Sequence, residues 1–166
     1  MQKNKRILLA VDGSAASRRV ANYVADIVGA EPIFHVGMIH LELPPRMLEW
    51  GGSEDAETEN SVSNERADAY DEMEANIVNT GQALMQRLQT PFTAKHVDVV
   101  ARVVKFEEPL DPKNIAQELF ATAQNEEYGT IVVGRHSFSG WKRFFGHHVA
   151  DELLKIAKDV TVWVVE

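Results

Sequence analysis

The stretch Gly134-Arg-His-Ser-Phe-Ser-Gly140-Trp-Lys-Arg-Phe-Phe-Gly146-His-His148 holds Arg135, His136, Lys142, Arg143, His147 and His148 and no acid, in a chain whose formal net charge is −8. Cations set among glycines and serines suit one chemistry above others. Backbone N–H groups bind a phosphate while the cations neutralise it. A second reading stays open, in which Trp141, Phe144 and Phe145 pack a core or subunit contact and the charges face water. A metal centre is not expected here. His147 and His148 are adjacent and diverge by about 100° on a helix start, and no carboxylate or Cys lies near them in sequence. His35, His40 and His96 fall in or beside strand patterns and read as structural.

Asp12, in Val11-Asp12-Gly13-Ser14, is the other residue with chemistry to offer. A carboxylate at this point can accept from a ribose hydroxyl or an adenine amine. It can equally do no more than order the turn into the next helix, as Asp before Gly often does.

Both sites need strands to carry them. Three continuous apolar runs, Ile7 to Val11, Ile131 to Val133 and Val160 to Val165, read as strands buried on both faces, which implies a parallel sheet covered by helices. A fourth run spans Ile33 to Ile39, and a fifth, His96 to Val104, alternates with Val97, Val99, Ala101 and Val103 on one face, as an edge strand would. Between them lie helical stripes: Ala16, Val20, Val24, Ile27 and Val28 after a Ser14 cap and before Gly29; about Asn64 to Gln89; Ile115, Ala116, Leu119 and Ala123 after Asp111-Pro112; and Val149, Leu153, Leu154, Ile156 and Ala157. Strict β-α alternation predicts a doubly wound α/β fold, a five-stranded parallel sheet of order 3-2-1-4-5 with helices on both faces and right-handed crossovers. One domain over 1–166 uses the whole chain. In such a sheet the ligand crevice lies beyond the carboxyl ends of the first and fourth strands, at Val11 to Ser14 and Val133 to His136.

Composition narrows the function. The 166 residues carry 17 Lys+Arg against 25 Asp+Glu and no Cys, which excludes disulfides and thiolate chemistry and argues against nucleic-acid and membrane-surface partners. No signal segment or membrane span is legible, so a cytoplasmic location is expected. Eleven of the acids crowd into residues 42–74 against Arg46 and Arg66. The first part, about 42–63, reads as an acidic surface insert: a solvated connection, or a partner-binding lid whose apolar contact is Met47, Leu48 and Trp50.

Taken in order, Ile7 to Ser14, Phe34-His35-Val36, Ile131 to Gly134, Ser139-Gly140-Trp141-Lys142-Arg143, Val149-Ala150 and the closing Val-rich strand resemble the single-domain universal stress protein family. The resemblance implies a five-stranded α/β sandwich of the adenine nucleotide alpha hydrolase-like kind, often a homodimer that binds ATP or AMP. It puts adenine near Val11 and Val36, with Ala10 beside them, and ribose near Asp12. The phosphates then meet Val133, Gly134, Arg135, Ser137, Ser139 and Gly140, and the helix start at Gly146, His147 and His148. The family signature G-x2-G-x9-G-[ST] is kept only at Gly134. Ser137, His147 and His148 replace its other positions, and Gly146 falls one residue early. A glycine lets the backbone approach a phosphate closely, whereas an imidazole adds bulk and, when protonated, charge.

Two functions follow. One is a stress-response protein that acts by binding an adenine nucleotide, with at most slow hydrolysis, since no dedicated base or Walker lysine is present. The other is a dimeric scaffold with a vestigial pocket. The apolar last strand, with Val160, Val162, Trp163 and Val164, predicts an isologous dimer through its open edge.

Overall fold

The computed structural model describes residues 5–29, 31, 33–42, 80–108, 111–135 and 149–166. The acidic insert beyond Glu42 and the part of the expected helix before residue 80 lie outside the described residues. The elements run β1 (Arg6–Val11), α1 (Ala15–Val28), β2 (His35–Glu42), α2 (helical over residues 80–93), β3 (Val99–Lys105), α3 (Pro112–Asn125), β4 (Thr130–Gly134), α4 (Val149–Ile156) and β5 (Thr161–Val165). Every strand pair is parallel and the order is β3-β2-β1-β4-β5, as the alternation predicts.

β1 shows why the apolar runs are continuous. Leu8 and Ala10 enter a core with Ile115, Leu119 and Leu153 of α3 and α4. Ile7, Leu9 and Val11 enter a second core with Val20, Val24, Met85 and Leu88 of α1 and α2. A strand with helices on both sides has no polar face to spare. The helices start where their caps say. Ser14 Oγ accepts from Ser17 N at 3.3 Å, and Asp111 Oδ1 accepts from Asn114 N at 2.9 Å ahead of Pro112. Three helix-to-strand turns each use a left-handed residue that is not glycine: His96 (φ 56°), Glu127 (φ 58°) and Asp159 (φ 60°).

Three details differ from expectation. β2 starts at His35 and runs on through Glu42, a residue only 5% exposed, while Ile33 sits in the preceding turn at 43%. The buried Glu42, the first residue assigned to the acidic insert, is therefore the last residue of a strand. α2 continues past Gln89 and through Pro91, anchored by the fully buried Phe92. Finally, Ile27 and Leu154, assigned to buried stripes, are 37% and 58% exposed.

One close packing crosses the sheet. A Cβ added at Gly37, in the middle of β2, would overlap the phenol oxygen of Tyr128 and stand 2.6 Å from its Cζ. The ring is buried, and the Arg6 guanidinium lies 5.1 Å from its centroid. Burial raises the Tyr128 pKa above its ordinary value, Glu126 raises it further, and Arg6 and Arg102 oppose both. The phenolate is therefore disfavoured in the folded state. Stability from this group is complete below about pH 10 and falls as pH rises through the higher folded value. Denaturant unfolding from neutral to alkaline pH is expected to show a smaller alkaline loss in Tyr128→Phe than in the wild type. Equal slopes above about pH 10 would remove Tyr128 as the cause.

Candidate functional site

β1 is the switch point of the sheet. β2 lies on one side of it and β4 on the other, and in a doubly wound sheet the ligand crevice belongs at the carboxyl ends of two such strands. Leu9 is level with Val132, and the same register carried two residues on sets Val11 level with Gly134. The two strand ends singled out in the sequence are therefore neighbours.

Each side chain at these ends has a definite task. Ala10, Val11 and Val133 are 0% exposed and their side chains belong to the cores. Asp12 is half-buried just beyond β1. Its Oδ1 accepts from Ser14 N at 2.9 Å and from Ser17 Oγ at 2.7 Å, and its own N–H donates to Ser17 Oγ at 2.8 Å. The turn-ordering role is thus present in full. It also aims Asp12 along the strand end ahead of the N-terminus of α1, whose dipole favours an anion.

Arg135 follows Gly134 but turns toward β5. Its N–H donates to Val165 O at 2.8 Å, and its Nε lies 2.9 Å from Glu166 Oε1. Arg19 of α1 closes the same corner through Nε to Glu166 O at 3.2 Å. Both partners of the Arg135–Glu166 pair are more than half exposed, so the pair contributes little to stability. Ser137, Ser139, Gly140, Gly146, His147 and His148, the remaining phosphate positions, lie outside the described residues.

Val36 needs correcting. It pairs with Ile7, at the opposite end of β1 from Asp12, and is 2% exposed in the core beside Val20 and Val24. It cannot reach the recess. The β2 residue level with Val11 is His40, whose Nδ1 lies 3.1 Å from Val11 O. A ring nitrogen facing a carbonyl must carry the hydrogen, so neutral His40 donates through Nδ1 and keeps Nε2 as an acceptor. Leu41 and Glu42 continue the strand past it. Ser17 and His40 were the functional candidates that the sequence did not disclose. The only signal for Ser17 was a serine five residues after the strand-end aspartate, in the first turn of a helix.

At the far edge, Val162 and Val164 pack toward the α3–α4 core and Trp163 toward the α1–α2 core, while Val160 precedes the strand. A surface trough of about 430 Å³ lined by Gln82, Gln86, Val103 and Lys105 runs along α2 and β3, away from the β1–β4 recess. Among the described residues, no group of three or more His, Cys, Asp or Glu side chains could hold a metal ion.

Comparison with known proteins agrees with this architecture. The model of the Universal stress protein family matches residues 3–166. A protein of that family from Burkholderia pseudomallei is 19% identical with a TM-score of 0.62, over 99% of this chain and 98% of the other. The universal stress protein from Archaeoglobus fulgidus in complex with dAMP is 14% identical with a TM-score of 0.57, over 99% and 100%. A universal stress protein family protein from Arabidopsis thaliana with AMP bound is 16% identical with a TM-score of 0.59, over 97% and 90%. No curated protein matches the sequence. At these identities the structural likenesses speak for the fold. The family match spans nearly every residue: the chain belongs to the universal stress protein family.

Proposed function

We propose that this protein is a single-domain cytoplasmic stress-response protein that works by binding an adenine nucleotide at the carboxyl ends of β1 and β4, without demanding turnover. The observation that carries this reading is Asp12, fixed by its own turn at the end of β1 beside the strand that ends in Gly134. Two relatives of the same fold were solved with dAMP and AMP, which supports an adenine nucleotide as the ligand class. In this reading the sugar meets Asp12 and the base lies against the backbone of Val11 and the end of β2 at His40 and Leu41. The phosphates extend toward Gly134 and the residues after it. Any hydrolysis is expected to be slow, as the sequence lacks a Walker lysine.

The competing reading, a scaffold with a vestigial recess, has one observation in its favour. The first cation after β4, Arg135, is engaged by Glu166 and faces β5. Isothermal titration with ATP and AMP, with and without Mg²⁺, separates the two. Saturable heat, together with thermal protection that grows with nucleotide concentration, is expected. Absence of both at millimolar nucleotide would leave the scaffold. Either way the chain is expected to form a homodimer through β5.

A further inference from the structure

β3 has β2 on one side, and no other described strand pairs with it. Phe106 N donates to Glu42 O, so the even-numbered residues of β3 turn their N–H and C=O groups to β2. Ala101 and Val103 turn theirs to the open edge. The side chains of these same two residues lie on the α1–α2 side of the sheet and line the trough of about 430 Å³, whose other wall is Gln82, Gln86 and Gln89 of α2. The edge thus combines a row of main-chain donors and acceptors with a side-chain groove along one face. An extended peptide adds to such an edge as a further strand, its backbone pairing with the edge and its alternate side chains entering the groove.

The opposite face of β3 says what that strand must carry. Val100 is 72% exposed, the most exposed large apolar side chain among the described residues. Arg102 shares its face by alternation and is partly exposed. Its guanidinium pairs with Glu126 through one nitrogen, but a guanidinium has five N–H donors and one carboxylate does not exhaust them. Lys105, the other charge of the strand, stands across from Glu42 in the ladder to β2. Cations on an edge strand keep it from pairing with itself, and a two-fold through β3 would oppose Arg102 to Arg102. They do not deter a strand of opposite charge. We propose that the β3 edge is a docking site for an extended acidic segment of another protein, which adds antiparallel with an acid opposite Arg102 and, two residues later, an apolar side chain against Val100. The residues flanking the acid stand opposite Val103 and Ala101, where short polar side chains meet the glutamine amides of the trough. This edge lies away from the β1–β4 recess, so the inference does not depend on nucleotide binding.

Fluorescence anisotropy of the full chain with the labelled peptide Thr-Ser-Thr-Glu-Thr-Val-Thr, and with Lys in place of its Glu, tests this. The Glu peptide is expected to bind saturably below about 1 mM and at least about threefold more tightly than the Lys peptide. Ala101→Pro removes an outward donor and none of the bonds to β2, and should weaken the Glu peptide at least about fivefold. Arg102→Ala should abolish the preference for Glu over Lys. By NMR, the Glu peptide should slow hydrogen exchange at the Ala101 and Val103 amides. No saturable binding, equal binding of the two peptides to the wild type, or a folded Ala101→Pro protein that binds as the wild type does would each overturn the proposal. If Ala101→Pro does not fold, Arg102→Ala and the exchange measurement decide: a preference for Glu that survives Arg102→Ala, or unchanged exchange at both amides, overturns it.

Discussion

Gly37→Val is expected to destabilise the fold by about 3 kcal/mol, although valine is the better strand former. Strand propensity favours the change by no more than about 1 kcal/mol. Against that stands the Tyr128 ring, whose Cζ and Cε1 would lie 2.6 and 3.0 Å from the new Cβ. Neither side can give way easily. Gly37 is paired on one flank with Leu8 of β1 and on the other with Val100 of β3, and Tyr128 is wedged beneath Arg6 at the entry to β4. The ring must leave its site, exposing aromatic surface worth roughly 2–3 kcal/mol, or the strands must part. For a chain of this size the melting temperature should drop by roughly 6–12 °C. Urea unfolding of Gly37→Val, Tyr128→Ala and the double variant checks the cause. The double variant should be less destabilised than the sum of the singles, because the clash is shared. Strict additivity, or a Gly37→Val protein as stable as the wild type, would show that the contact is not what demands glycine.

The same strand marks where sequence reading worked and where it stopped. β1 and β4 were legible because both faces are covered, so Ile7 to Val11 and Ile131 to Val133 are uninterrupted. The caps at Ser14 and Asp111-Pro112 were legible because capping is local chemistry. β2 sits later than its apolar run. That run closes at Ile39, yet the strand continues with His40 and Glu42 on the face that also carries Val36 and Met38. Val36 and His40 differ by four residues, an even number. A slip of that length keeps every side chain on its own face, so alternation cannot reveal it. Only the ladder to β1, with Val36 beside Ile7 and His40 beside Val11, fixes which residue borders the recess. Ser17 was hidden for a different reason. Its part depends on a rotamer that closes a loop of hydrogen bonds with Asp12, and residue type and spacing do not encode that. The end of α2 lies past Gln89 for a third reason. A proline ordinarily breaks a helix, but burial of Phe92 holds the last turn of α2 together.

Val164→Pro is expected to convert a β5-paired dimer to monomer while leaving the fold intact. β5 is an edge strand with β4 on one side. Thr161 N donates to Gly129 O, and Val165 O accepts from Arg135 N, so the odd-numbered residues of β5 face β4. By alternation, Val162 and Val164 turn their N–H and C=O groups to the open edge. Two copies paired antiparallel about Trp163 set Val162 against Val164, with no charge opposed to its like. The other edge does not suit itself in this way. A two-fold through the centre of β3 sets Arg102 against Arg102, a repulsive pair. β5 is therefore the edge at which a second copy is expected to join. Proline at 164 deletes one outward donor and none of the bonds to β4, which is the position where an edge strand tolerates it. Trp163→Asp would be a poorer probe, because Trp163 also packs against the α1–α2 core and its loss would weaken the fold along with the interface. Sedimentation velocity should give a dimer for the wild type and a monomer for Val164→Pro, with matching far-ultraviolet circular dichroism. A Val164→Pro protein that remains dimeric would move the interface away from β5, and a monomeric wild type would mean that this open edge is left unpaired.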